Sequence, residues 1–172
     1  MRGRSSVWKR LRRYCAPVLL LALLAAGCRA SQPLNDVSKT LGADAGKGDV
    51  VTFWDDHGGF HGDGSAFLQV QFEDGEFLEA VRQSPDWSPL PLPRTVTALL
   101  YGLEEDGCHI GPMVYGEDRS PLLPPVENGY YFFLDRGNKE DGASVLGRPS
   151  YNFTAAVYDE DSCTLYYVEL DT

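Results

Sequence analysis

The reading of this chain turns on its last strands: Asn152-Phe153-Thr154-Ala155-Ala156-Val157-Tyr158, then Asp159-Glu160-Asp161-Ser162-Cys163, then Thr164-Leu165-Tyr166-Tyr167-Val168-Glu169-Leu170. Two runs of β-branched and aromatic residues around a short acidic link make a β-hairpin with a polar turn. The link does not read as a calcium loop, because the central glycine is missing and Cys163 stands where an oxygen ligand is needed. Upstream, Asn128-Gly129 signals a turn directly before the strand-like run Tyr130-Tyr131-Phe132-Phe133-Leu134. Ala66–Phe72 alternates, with Leu68, Val70 and Phe72 on one face and Gln69 and Gln71 on the other. Val50-Val51-Thr52-Phe53-Trp54 is a further β-prone run, ended by Asp55.

Helical signals lie between these strands. Asp74 is placed to cap a short helix through Glu76, Phe77, Leu78, Val81 and Arg82, which Ser84-Pro85 stops. Pro93 opens a second candidate helix with Val96, Leu99 and Leu100 inward and Gly102 at its end. Thr95–Tyr101 would also suit a strand by propensity, and the helix is the preferred reading. Residues 103–128 read as a long connection. The fold class expected is α+β: an antiparallel sheet of about five strands with one or two short helices packed on a face.

Composition bounds the function. The 172 residues carry 15 basic and 25 acidic side chains, a formal charge of -10, and 43% hydrophobic residues. That suffices for one packed domain and excludes a broad nucleic-acid surface, which needs clustered Lys and Arg. The charge is unevenly spread. Arg2, Arg4, Lys9, Arg10, Arg12 and Arg13 precede the apolar run Ala16–Gly27, which leads to Cys28. A basic start, an apolar stretch of this length and small residues after it form a secretory signal. The stretch is shorter than the ~20 residues of a membrane span.

Leu24-Ala25-Ala26-Gly27-Cys28 resembles the lipobox of bacterial lipoproteins. The resemblance covers residues 1–28 only and implies that Cys28 receives a diacylglyceryl group before cleavage behind Gly27. It implies attachment through Cys28 at the extracytoplasmic face of a bacterial membrane, where two acyl chains hold a protein stably. The organisation expected is a signal peptide over 1–27, a lipidated Cys28 with a flexible tether over 28–48, and one globular domain over 49–172. Losing six basic residues and none of the 25 acidic ones takes the formal charge to -16. Cys15 leaves with the signal, so Cys108 and Cys163 remain as a candidate disulfide in an oxidising compartment.

Chemistry concentrates in Trp54-Asp55-Asp56-His57-Gly58-Gly59-Phe60-His61-Gly62-Asp63-Gly64. Imidazole and carboxylate are favoured ligands of Zn²⁺ and similar ions, and the glycines would let the chain converge them. His57, His61 and Asp63 are the first candidate ligands of a divalent metal, with Asp55 or Asp56 beside them and His109 as a further donor. The competing reading is an ordinary Asp/Gly turn whose carboxylates accept backbone N–H bonds. A second resource is the aromatic set Trp54, Phe60, Trp87, Tyr130, Tyr131, Phe132, Tyr158, Tyr166 and Tyr167. Alternation would turn some of these outward to meet a protein, peptide or glycan, unless both faces of the sheet are covered. The function expected is a non-enzymatic binding or envelope-structural module. The alternative is a metal-dependent hydrolase or metal-binding protein built on the Asp55–Asp63 loop, told apart by whether its ligands converge.

Overall fold

The computed structural model describes residues 32–58, 62–73, 75–137 and 144–172. The fold is α+β, with a six-stranded sheet rather than five and a separate two-stranded one. The strands are β1 (Asp49–Asp55), β2 (Gly64–Gln71), β3 (Trp87–Pro89), β4 (Leu103–Glu105), β5 (Cys108–Ile110), β6 (Gly129–Asp135), β7 (Asn152–Asp159) and β8 (Thr164–Asp171). The helices are α1 (Gln32–Leu41), α2 (Glu76–Gln83) and α3 (Arg94–Leu100). Main-sheet order is β1-β2-β8-β7-β6-β3, with every neighbouring pair antiparallel. The β4–β5 hairpin lies within the stretch expected to be a plain connection. No helix among the described residues is long and apolar enough to cross a membrane.

The C-terminal hairpin is the centre of the sheet. β8 pairs along its whole length with β7 on one side and with β2 on the other. Both sheet faces are covered, so residues Phe153 to Tyr158 are buried in succession. On one face Leu68, Val70, Ala156, Tyr158, Leu165 and Tyr167 pack with Leu34, Val37 and Leu41 of α1 and Phe77 and Val81 of α2. On the other, Phe67, Phe153, Ala155, Val157, Tyr166 and Val168 pack with Val96, Leu99 and Leu100 of α3, and with Val114, Leu123 and Val145. Helices therefore lie on both faces of the sheet. That explains the aromatics: Trp87, Phe132, Tyr158, Tyr166 and Tyr167 are buried, and Tyr130 and Tyr131 are half-buried.

The tether expected up to residue 48 is also corrected, because the chain is helical from Gln32 and joins the core from Leu34 onward. Leu34, Val37 and Leu41 fall at helical spacing and line the buried side of α1. Gly42, at φ +64, ends the helix in the left-handed conformation that favours glycine. Ser38 Oγ accepts the Ala45 N–H at 2.9 Å and Asp44 Oδ1 the Gly46 N–H at 2.9 Å, which folds the next turn back onto α1. The Trp87 indole Nε1 donates to the Leu41 carbonyl at 3.1 Å, joining α1 to the far edge of the sheet.

α2 and α3 form where the sequence placed them. The cap position Asp74 lies outside the described residues, and Gly75 precedes α2 without a side-chain capping bond. Cys108 and Cys163 are both free thiols here. Cys163 packs against the cluster on the α1/α2 face, whereas Cys108 is exposed on the hairpin that follows α3, the helix of the opposite face. The pairing expected from the cysteine count is not formed between them.

Candidate functional site

The chemistry-rich segment joins β1 to β2. The Asp56 N–H donates to the Ser65 carbonyl at 3.0 Å and the Gly58 N–H to the Asp63 carbonyl at 3.4 Å, so the ladder continues into the loop. Asp56 Oδ1 accepts bonds from the Ser65 N–H at 2.5 Å and the Ser65 hydroxyl at 3.2 Å. Gly64 lies against the backbone of His57, where a Cβ would come within 2.5 Å of His57 Cα. Only glycine allows that approach. Over its described residues the carboxylates of Asp55 and Asp56 accept backbone N–H groups, as in an Asp/Gly turn.

His57 is held between two carboxylates. Its Nδ1 lies 2.7 Å from Asp55 Oδ1, which also accepts the His57 backbone N–H at 3.0 Å. Its Nε2 lies 3.2 Å from Asp171 Oδ2, an ion-pair approach without the alignment of a hydrogen bond. Asp171 Oδ2 in turn sits 3.1 Å from Arg136 Nη2, which donates to the Phe153 carbonyl at 3.0 Å. A charged row, Asp55–His57–Asp171–Arg136, therefore draws together the ends of β1, β8 and β6. Asp55 is hydrogen-bonded at Nδ1 and Asp171 stands within ion-pair range of Nε2, so a carboxylate faces each ring nitrogen.

Burial works to lower the His57 pKa, but the Asp55 hydrogen bond and charge, followed by the charges of Asp171 and Glu169, outweigh it, and the net direction is up. Burial likewise works to raise the Asp55 pKa, and the bonds and charge of His57 outweigh it, so that carboxyl is held below its usual range. A raised histidine pKa stabilises the folded state fully below the ordinary value and ceases to do so as pH rises through the folded value. We expect His57→Ala to lower unfolding stability by about 1 kcal/mol near pH 5.5, discounted for the partial exposure of Asp55. The gap between parent and variant should narrow as pH rises above the ordinary histidine value. Urea midpoints on either side of that value measure this, and a gap independent of pH would remove the ion pair as its cause.

The candidate metal ligands divide among separate tasks. Asp55 holds His57, Asp56 holds Ser65, and Asp63 is exposed with its carbonyl bonded to Gly58. His61 lies outside the described residues. His109 sits opposite Glu104 on the β4–β5 hairpin. Among the described residues no group of three or more His, Cys, Asp and Glu is placed to hold a metal ion. Asp171 and Arg136, which were not among the candidate site residues, complete the His57 environment. No spacing could have found them, because the β2–β8 register, with Gly64 opposite Asp171, is what brings them near.

Beside this row opens a cleft of about 470 Å³, lined by Trp54, Asp56, Ser65, Met113, Tyr115, Leu122, Tyr151 and Leu170 among others. β1 and β2 supply one wall. The other comes from the chain after α3, where the Met113 N–H donates to the Leu99 carbonyl at 2.8 Å and Val114 is buried. Trp54 leans on Phe67 with ring centroids 6.2 Å apart, which fixes its indole at the cleft wall. Tyr115 is exposed, so of the aromatics able to meet a ligand Trp54 was anticipated and Tyr115 and Tyr151 were not; Phe60 lies outside the described residues. The cleft is mainly apolar, with Asp56 and Ser65 as orienting groups, the usual make-up of a site that binds by shape. No protein-family model matches the chain, and no curated protein and no solved structure matches it either.

Proposed function

We propose that the protein is a bacterial lipoprotein, anchored through Cys28 at the extracytoplasmic face of a membrane, and that its folded domain is a non-enzymatic binding module. The address rests on Leu24-Ala25-Ala26-Gly27-Cys28 behind a basic, then apolar, N-terminus. The observation that carries the module reading is the aromatic cleft standing beside a histidine whose two ring nitrogens both face carboxylates. A binding site needs rigid apolar walls with a few polar groups, and the cleft supplies both. Rigid rings at the cleft wall suit a peptide or a glycan, which stack and bury area at little entropic cost.

Replacing Cys28 with Ser is expected to move the protein from detergent-soluble membranes into the aqueous fraction, read by fractionation and by loss of the lipid mass on the mature N-terminus. Retention of the serine variant in washed membranes would sink the anchor.

A further inference from the structure

The two edges of the main sheet are protected unequally. β3 is only three residues long and carries Pro89, so it offers little to an incoming strand. β1 is seven residues long, and every residue but Trp54 is exposed. Three of its large apolar side chains face solvent: Val50 at 39%, Val51 at 57% and Phe53 at 48%. Val50 and Phe53 stand opposite Val70 and Leu68, members of one core cluster, so their side chains extend that face beyond the last covered strand. The Asp56–Ser65 bond sets the phase of the ladder: Thr52 and Trp54 turn their backbone groups to β2, and Phe53 and Asp55 turn theirs outward.

The stretch of chain that carries this edge is predominantly acidic, with His57 paired to Asp55 at one end. Between Gly48 and Val81 the sequence holds eight acidic residues and no lysine or arginine. Asp49 closes one end of the strand, and Asp55 and Asp56 close the other. The register of β1 shifts between Val50 and Thr52, and self-association of this strand would bring the acidic ends of two copies together, where like charges destabilise a pair. An incoming strand with basic ends meets attraction at the same places.

We infer that the outer edge of β1, unpaired among the described residues, is a docking site for an extended, β-branched segment of a partner protein with Lys or Arg at both ends, added to the sheet as a seventh strand. Main-chain bonds to Phe53 and Asp55 supply the register, Val50 and Phe53 supply apolar contact, and the aspartates select the basic partner. The inference rests on the domain being a binding module and names the surface and the chemistry of its partner.

The test is a titration of the full chain, in detergent micelles, with acetyl-Lys-Thr-Val-Thr-Val-Thr-Lys-amide, followed by backbone amide shifts. The expected result is saturable shifts at Phe53 and Asp55, and affinity about tenfold weaker for the same peptide with Glu at both ends. Phe53→Ala keeps the outward N–H and should weaken binding modestly. Phe53→Pro removes that N–H without touching the β1–β2 ladder and should abolish binding while far-ultraviolet circular dichroism stays unchanged. Equal affinity for both peptides, undiminished binding by Phe53→Pro, no binding at all, or β1-mediated dimers would each overturn the inference. Shifts confined to Tyr151 and Met113 would overturn the edge site and leave the module reading standing, and the Cys28→Ser fractionation tests the anchor separately.

Discussion

A chain that begins at Asp49 is expected to be less stable by roughly 6 kcal/mol than one that retains α1, since Leu34, Val37 and Leu41 each contribute about 2 kcal/mol by burial. That is a large share of the ~5–15 kcal/mol that holds a domain folded, so the shortened chain should show little cooperative unfolding. The loss has a second part. Removing Leu41 takes away the carbonyl that accepts the Trp87 indole N–H, leaving a buried donor without its partner. Urea denaturation followed by tryptophan fluorescence measures the difference. A shift below about 1 kcal/mol, the size of an ordinary surface change, would mean that α1 does not belong to the core.

Gly129→Ala is expected to cost about 3 kcal/mol, for a reason of backbone rather than of side-chain packing. Gly129 opens β6 at φ +153, and a Cβ there would stand 1.9 Å from the Tyr158 carbonyl oxygen. That oxygen belongs to β7, buried at the middle of the sheet, and cannot retreat as a flexible side chain would. The Gly129 carbonyl also accepts the Leu90 N–H at 3.0 Å, so a shift of β6 would loosen the chain beyond β3 as well. Gly147→Ala is the control: a Cβ there meets nothing within 4 Å, and thermal melting should hardly move. Similar melting losses in the two variants would place the effect in chain entropy instead of the close approach.

The parts of the fold legible in the sequence are those decided by local pattern. Phe153–Tyr158 and Thr164–Leu170 declare a hairpin because long β-prone runs flank a polar turn, and the turn closes as expected through Asp159 Oδ1, which accepts the Asp161 N–H at 3.0 Å. Adjacent Tyr166 and Tyr167 pointed to something further. Two bulky neighbours on one strand must face opposite sides, and both are buried because both faces are covered. α1 escaped the reading because its residues are mostly small and polar, yet Leu34, Val37 and Leu41 already had the spacing of one helical face. Of the site, Asp55, Asp56 and His57 were visible as a cluster. Their division into a turn bond and an ion pair depends on Ser65 and Asp171, which only strand pairing brings near.

The early start of α1 sets a distance. Three residues separate Cys28 from Gln32, and four steps of backbone reach at most ~15 Å even when fully extended. The proposed lipidation at Cys28 would therefore put the domain on a short leash, against the headgroups and with its first helix near the bilayer. Its formal charge of -16 would then be felt at close range, since the leash is less than about two Debye lengths. A partner bearing basic residues, held in the same leaflet, would meet the domain already confined to a thin layer, where effective concentration takes the place of intrinsic affinity.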